Sequence, residues 1–178
     1  MSAKAKRAKK SHKMVARKVQ READVAERAL AKTIGGASFK NSEPVDVVVA
    51  DDTGRVVHGI EHKYMFDNSN HKITMNKYAQ VRKLIWEKKN DTTFHTVVES
   101  KSGKIFYRRG VGSFRVGAMY EVKGGTKELK GLLDIPDNEL PDSAKRTDGK
   151  NRIGTWRPIK DGKGYKNSKT GDIAKPKK

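Results

Sequence analysis

The sequence contains no cysteine, and aromatic residues make up only 7% of its 178 residues. Without cysteine there is no disulfide framework, no thiolate metal ligand and no cysteine nucleophile. No apolar run approaches the roughly 20 residues that span a bilayer, and no apolar segment of a signal peptide follows the basic N-terminus. We therefore expect a cytoplasmic protein without a membrane partner, of a length that suits one compact domain with appendages.

Acidic residues are scarce relative to basic ones, with 21 Asp and Glu against 40 Lys and Arg and a net charge of +19. Residues 1–21 carry nine cations and no acid, and residues 145–178 carry twelve cations and three acids. This distribution predicts a nearly neutral core with two basic arms that contact phosphates without base selectivity. Tails that only improve solubility, or that belong to a ribosomal or packaging protein, are the alternative.

The apolar pattern predicts alternating helices and strands. Apolar residues recur at threes and fours over 13–34, before Gly35-Gly36, and again over 76–90, which predicts two helices. Strand-forming runs lie on both sides of a turn at 51–54, and two more strands are expected over 92–99 and 104–108. A short helix is expected near Ser113, whose hydroxyl is suited to cap it.

This order of elements predicts an α/β protein with a small mixed β-sheet and flanking helices. Beyond Gly124-Gly125 the apolar pattern weakens, and the polar stretch that follows is typical of a linker. The predicted organisation is a basic N-terminal arm at 1–21, an α/β core at 22–135, and a linker with a basic C-terminal tail at 136–178.

Two acidic residues and a lysine form the main candidate for chemistry. Glu61 and Lys63 are two residues apart in a predicted strand, so their side chains are expected on one face while His62 points to the other. Asp46, at the start of the preceding strand, is expected to approach Glu61 across the hairpin. Paired carboxylates bind hard Mg²⁺, and an ammonium group orients a water or offsets developing charge, so the set suits phosphodiester hydrolysis.

In this context the three residues resemble the signature of the PD-(D/E)XK nuclease superfamily, whose core is a helix, a β-meander, a helix and another strand. In this chain Val45 separates Pro44 from Asp46, and His62 is the middle residue of the triplet. Over about Ala23 to Met119 the sequence also resembles a module of phage head-morphogenesis and related phage proteins, through the segments GIEHKYM, HKITM, FHTVVES and FYRRGVGSFR.

The resemblance implies a restriction-endonuclease-like core and a Mg²⁺-dependent or Mn²⁺-dependent endonuclease that hydrolyses nucleic acid, with DNA favoured. It implies that Asp46, Glu61 and the backbone carbonyl of His62 are metal ligands and that Lys63 positions the attacking water. A further carboxylate comes from the first helix in this superfamily, and Glu27 is our choice, with Glu22 as the alternative. It also implies phage proteins or a phage particle as partners and locations; the oligomeric state stays open.

Further basic and aromatic residues are candidates for nucleic-acid contacts. Guanidinium groups bind phosphate with two parallel hydrogen bonds, and aromatic rings interleaved with lysines stack on unpaired bases. Each has an ordinary structural alternative, such as a solvated lysine or a ring that anchors the tail. The candidates are Lys72, Arg82, Lys83, Arg108, Arg109, Arg115, Trp156 and Tyr165.

Two other functions remain as hypotheses. The first is a metal-independent ribonuclease of the toxin type, in which His95 or His62 acts with Lys63 and Arg109 in acid–base catalysis and phosphate stabilisation. The second is a nucleic-acid-binding virion protein without catalysis.

Overall fold

The computed structural model describes residues 3–39, 44–66, 71–146, 156–160, 164–168 and 170–174, with the backbone alone for residues 3–11 and Trp156. Within these ranges lie three α-helices, eleven short or medium strands and three 3₁₀ turns. The helices are α1 (Ala3–Ile34), α2 (Lys77–Asn90) and α3 (Gly125–Asp134). The strands are β1 (Gly36–Ser38), β2 (Val47–Ala50), β3 (Val56–Met65), β4 (Lys72–Ile73), β5 (Thr93–Ser100), β6 (Ile105–Arg109), β7 (Phe114–Arg115), β8 (Tyr120–Glu121), β9 (Trp156–Pro158), β10 (Tyr165–Asn167) and β11 (Ile173–Ala174).

The main sheet has the strand order β1-β2-β3-β5-β6-β8 in the described part of the chain. The central strands β3 and β5 run parallel, with Glu61 opposite Thr96, and the other neighbours are antiparallel. Parallel neighbours need a crossover connection, and α2 lies in the one between β3 and β5. The predicted mixed sheet with flanking helices is therefore confirmed.

The two faces of the sheet are covered by different elements. Leu30 and Ile34 of α1 and Leu129 of α3 are buried in one cluster with Ile60 of β3. On the opposite face Gly59 lies against Trp86 of α2, and a Cβ added at Gly59 would overlap the indole ring. Glycine therefore allows α2 to lie close to the strand that carries Glu61.

α1 is longer than predicted, because it extends through the basic N-terminal segment instead of beginning near residue 13. Its side chains are exposed from His12 to Arg21, and partial burial begins at Glu22. The charged segment therefore projects from the body as a continuation of a helix whose other end is in the core. No helix in the described ranges is both long and apolar enough to cross a membrane.

Some elements around the glycines were not predicted correctly. α1 ends at Ile34 before Gly35-Gly36 as expected, but Gly36 also starts the unpredicted strand β1, where it is paired with Val49 and a Cβ would lie 2.7 Å from the Val48 carbonyl oxygen. The helix expected near Ser113 is wrong, because β7 pairs with β4 and only a 3₁₀ turn follows. The Ser113 hydroxyl instead accepts a hydrogen bond from the Met75 amide at 3.0 Å.

The segment after the core was also interpreted incorrectly as a linker. α3 forms where the apolar pattern had weakened, and Leu140 and Ala144 beyond it are buried in the main core. Arg146 forms an ion pair with Glu87 of α2. Tyr165 is 6% exposed and packs with Val81 of α2, so part of the basic tail covers that helix.

A chain of buried polar groups connects β3, β5, β6 and α3. The Arg109 Nε donates to the Tyr107 hydroxyl oxygen at 3.2 Å, and the hydroxyl lies 2.7 Å from the His95 Nδ1. The His95 Nε2 lies 3.0 Å from the His58 Nδ1, and the His58 Nε2 lies 2.8 Å from the Asp134 carboxylate. Each group of this chain is thus within hydrogen-bond distance of the next, with the Tyr107 hydroxyl oxygen accepting from Arg109.

Burial, followed by the neighbouring His58, lowers the pKa of His95 well below its usual value of 6.5. Above pH 6.5 His95 is neutral in both the folded and the unfolded chain, so its contribution to stability is complete there. As the pH falls below this value the unfolded chain takes up a proton that the folded protein excludes, so the contribution is lost.

We expect the free energy of unfolding to decrease below pH 6.5 with a slope from His95 of up to about 1.4 kcal/mol per pH unit. Urea unfolding of the wild type and of His95→Gln, from about pH 8 to about pH 5, isolates the contribution of His95. The carboxylates titrate in both proteins, so their effect cancels when the two pH profiles are compared. Parallel pH profiles in the two proteins would contradict the argument.

Candidate functional site

The carboxylates of Asp46 and Glu61 lie next to each other where β2 and β3 pair. The amide of Asp46 donates to the Ile60 carbonyl at 3.0 Å, which fixes the aspartate backbone against β3 one residue before β2 begins. The Asp46 Oδ2 accepts a hydrogen bond from the His62 amide at 2.8 Å. The hairpin therefore brings together the two acidic residues that the sequence paired.

Glu61 is 5% exposed and lies between two ammonium groups. The Lys63 Nζ is 2.6 Å from its Oε1, and the Lys83 Nζ of α2 is 2.7 Å from its Oε2. Lys83 also donates to the Pro44 carbonyl at 2.5 Å. Besides the Lys83 ammonium, the buried Glu61 Oε2 has no hydrogen-bonding partner among the described residues, so one of its lone pairs is unused.

The electrostatics of the site reflect several close charges. Burial and the neighbouring Glu61 raise the pKa of Asp46. Burial alone would raise the pKa of Glu61 too, but Lys83 and Lys63 outweigh it and the pKa is lowered. Although burial opposes it, the pKa of Lys63 is raised by Glu61 and, more weakly, by Asp46 and Glu27. The ammonium groups thus keep Glu61 ionised beside a second carboxylate.

The helix α1 contributes a third carboxylate to this group. Burial raises the pKa of Glu27, and the next largest cause is the negative charge of Asp46. Glu22, the alternative, is turned instead toward Lys101, whose Nζ is 3.9 Å from its carboxylate. Of the two candidates on α1, Glu27 is thus the one whose pKa Asp46 influences, while Glu22 lies in a separate cleft.

The donor set suits a hard divalent cation that keeps part of its hydration shell. No three His, Asp or Glu side chains in the described ranges are arranged to ligate one ion by themselves. Mg²⁺ is commonly held by one or two carboxylates, with water and substrate phosphate completing the octahedron. Asp46 and Glu61, with the unused lone pair of its buried oxygen, fit this type of site.

The middle residue of the triplet points away from the carboxylates, as expected for a strand. The His62 Nε2 lies 3.2 Å from Glu99 of β5, and its side chain is 2% exposed. His62 contacts the site through its backbone, whose amide donates to the Asp46 Oδ2. Its carbonyl as a metal ligand stays a prediction.

Two of the predicted phosphate contacts are brought together by a small ribbon. Lys72 of β4 and Arg115 of β7 are directly opposite each other in register, and both are exposed. Like charges in opposite positions destabilise a strand pair unless an anion lies between them. The ribbon packs through Ile73 and Phe114 against Met65, at the end of β3 beyond Lys63. Arg82 is exposed on α2.

The other candidates are engaged in structural contacts. Arg109 is 3% exposed and donates to the Leu132 and Ile135 carbonyls at the end of α3, so it is not a phosphate clamp. Arg108 donates to the Lys145 and Ala118 carbonyls. Tyr165 is buried against α2, which supports the anchoring alternative. The Trp156 side chain lies outside the described part of the chain.

His95 is 0% exposed, with both ring nitrogens in the polar chain between His58 and Tyr107. A substrate does not reach an imidazole in this position, and Arg109 is similarly enclosed. The geometry therefore disfavours the metal-independent mechanism that used these two residues.

Sequence reasoning placed Lys83 among the surface phosphate contacts and missed its contact with Glu61. A lysine on a helix is ordinarily solvated, and 20 positions separate it from Lys63 along the chain. The closest signal is its position three residues after Gln80, which is also buried, because residues three apart share a helix face.

No protein-family model matches the chain, and no curated protein shows significant similarity to it. The function proposed below therefore rests on the geometry of the residues.

The variant Lys83→Met should lower the free energy of unfolding by about 3 kcal/mol, because it leaves buried Glu61 without one of its two cationic partners. Adding Glu61→Gln should recover most of that loss, since the uncompensated charge is then gone. Urea unfolding of both single variants and the double variant measures the coupling. Lys88→Met, at an exposed lysine of the same helix, is the control, and an equal loss there would contradict the buried pair.

Proposed function

We propose that this protein is a Mg²⁺-dependent endonuclease that hydrolyses phosphodiester bonds, with DNA as the favoured substrate. The observation that carries the proposal is the convergence of Asp46 and Glu61 on one edge of the hairpin with Lys63 2.6 Å from Glu61. The phage setting that the resemblance of residues 23–119 implies is part of the same proposal, with the host cytoplasm or a phage particle as the place of action.

Each residue has a defined task in such a reaction. A divalent cation held by Asp46 and Glu61 would polarise the phosphate and acidify a bound water. The Lys63 side chain is 45% exposed, so its ammonium extends from the carboxylate toward the solvent, where a water attacks. There it orients that water and offsets charge on the phosphorane. Lys83 is a positioning residue, because it holds Glu61 ionised and in place.

The topology supports the proposal independently of the side chains. The order α1, the meander β1-β2-β3, α2 and then β5 beside β3 is the order of elements in the superfamily core described above. Asp46 directly precedes the second strand of the meander, Glu61 lies on the third, and Glu27 comes from the first helix. A helix–meander–helix–strand order is compatible with many functions, so the site carries more weight than the fold.

The charge distribution supports a polyanionic substrate. All nine cations of residues 1–21 lie on or next to the helical segment that projects from the body, and no acid interrupts them. Lys72 and Arg115 add a pair of exposed cations next to the end of β3. A substrate bound to both would cross the edge of the sheet where the carboxylates lie.

The decisive test is cleavage of plasmid DNA and of RNA by the full chain, with Mg²⁺ or with EDTA. We expect cleavage with Mg²⁺ but not with EDTA. In the Glu61→Gln variant cleavage should decrease by at least about 10-fold, since even the loss of a group that supports a metal ligand costs roughly 10- to 100-fold. Binding of the same nucleic acid, measured in EDTA, should be retained because the arms are unchanged.

Glu121→Gln provides the matched control, since it removes the charge of a glutamate on the edge strand β8, outside the site. Cleavage that persists in EDTA, or that Glu61→Gln and Glu121→Gln reduce equally, would refute the proposal. Binding without cleavage under every condition would favour the virion-protein alternative.

Deletion of residues 1–21 should weaken nucleic-acid binding and reduce its salt dependence, with a change in the log–log slope of about 0.9 for each phosphate that the arm no longer neutralises. Binding isotherms at several salt concentrations measure the slope. Removing 145–178 is not an equivalent test, because Arg146 and Tyr165 pack on α2. For the tail, Lys160→Gln with Lys166→Gln neutralises two exposed cations instead. An unchanged slope in both proteins would exclude the arms as phosphate-binding segments.

A further inference from the structure

A second concave surface lies on the other side of β3 from the carboxylates and is not used in the proposed reaction. It is a cleft of about 460 Å³ between α1 and the end of the β3–β5 pair. Its walls include Val25 and Ala26 of α1, Tyr64 of β3, and Lys101 in the turn after β5. This volume lies within the range of pockets that enclose small ligands.

The cleft and the carboxylate site are formed by adjacent residues of the same two elements. Ala26 lines the cleft and the next residue, Glu27, belongs to the site. Tyr64 lines the cleft and the preceding residue, Lys63, contacts Glu61. Because successive strand residues point to opposite faces of the sheet, the cleft on the α1 side and the carboxylates on the α2 side share the same stretch of β3 but open on different faces.

The walls of the cleft combine an aromatic ring, aliphatic side chains and charges of both signs. The Tyr64 ring meets the Phe66 ring edge to face at 5.4 Å between centroids, and the Lys101 Nζ lies 5.4 Å from the Phe66 centroid. The carboxylates of Glu22 and Glu99 also lie in the walls, and after burial they are the causes that raise the pKa of Tyr64.

This mixture is unsuited to a bare phosphate but suits a nucleobase. Two carboxylates in the walls repel an anion, whereas the amino and imino groups of a base donate hydrogen bonds to them. Tyr64 on one side and Val25 with Ala26 on the other offer surfaces to a flat ring. Arg21, at the rim of the cleft, is the last residue of the basic helical segment. Together with Lys101 it supplies cations for the flanking phosphates.

We propose that this cleft binds one unpaired base of the nucleic-acid substrate, stacked on Tyr64, while the strand continues around the end of β3 to the carboxylates on the other face. A base within a duplex has both faces covered by its neighbours, so the cleft selects a substrate with a single-stranded, bulged or flipped nucleotide. The inference rests on the proposed nuclease function for its substrate, and it adds a preference that the carboxylates alone do not provide.

The test is binding of a short single strand containing one 2-aminopurine, whose fluorescence is quenched on stacking, to the full chain in EDTA. Tyr64→Ala should weaken binding roughly 5- to 150-fold and abolish the quenching, the range for loss of one base–aromatic stack. Tyr64→Phe retains the ring and should bind as the wild type does. Tyr78→Ala, at a tyrosine of α2 that is 49% exposed and lies outside the cleft, is the matched control and should change neither readout.

A strand with one abasic position distinguishes the contribution of a base to binding from that of the phosphates, because it lacks one base and keeps every phosphate. Wild type should bind it more weakly than the intact strand, and Tyr64→Ala should bind both equally. Lys101→Gln, at an exposed position, should weaken the binding of both strands to the same extent. It serves as a second variant if Tyr64→Ala has a lower melting temperature than the wild type.

Equal binding and quenching by wild type and Tyr64→Ala would overturn the inference, and so would an equal effect of Tyr78→Ala. Because binding is measured in EDTA, stacking on Tyr64 can be observed even if Mg²⁺-dependent cleavage is absent, in which case only the nuclease proposal fails. If Mg²⁺-dependent cleavage is present while no Tyr64-dependent stacking occurs, only the cleft proposal fails.

Discussion

Glu61 is an ionised carboxylate in a nearly water-free position between two ammonium groups, and the surrounding structure is arranged to maintain it. A buried charge is stable only when paired, so Lys63 from the same strand and Lys83 from α2 must both be in place. Gly59 makes this possible, because the absence of a side chain lets Trp86 and the rest of α2 lie against β3. The packing of one helix on one strand thus determines the charge state of the candidate site.

The two faces of the central sheet deal with polar groups in opposite ways. The α2 face holds charged pairs, with Glu61 between its lysines. The α3 face holds a chain of two histidines and a phenol, closed at one end by Arg109 and at the other by Asp134. A neutral imidazole tolerates complete burial, as at His95, whereas the charged set needs an opening to solvent, which Lys63 provides. This difference explains why one cluster is a candidate for chemistry and the other is structural.

Much of the fold followed from periodicity, and the departures have physical causes. The helix over 77–90 and the strands over 93–100 and 105–109 lie within about a residue of their predicted ends, because alternation and helical spacing are strong there. β1 was hidden because glycine at a helix end also suits close strand pairing at Gly36. α3 was hidden because its N-cap, Gly124, and its first residue, Gly125, are both glycines and its apolar face is only one stripe wide. In the site, Asp46, Glu61 and Lys63 lie together as expected, since strand period and hairpin length dictate their proximity, whereas no local period indicates which glutamate of α1 faces them.

Relations between nearby residues follow from the amino-acid sequence alone: which side chains share a strand face, which residues turn, and where positive charge accumulates. These relations depend on spacings of a few residues and on composition. Which cations are free to meet a substrate depends instead on the folded arrangement of distant segments. Arg109 and Tyr165 look like binding residues in the sequence but are buried by α3 and α2, while Lys83 looks solvated and is paired with Glu61. Burial and pairing depend on contacts between residues distant in the chain, which no local pattern encodes.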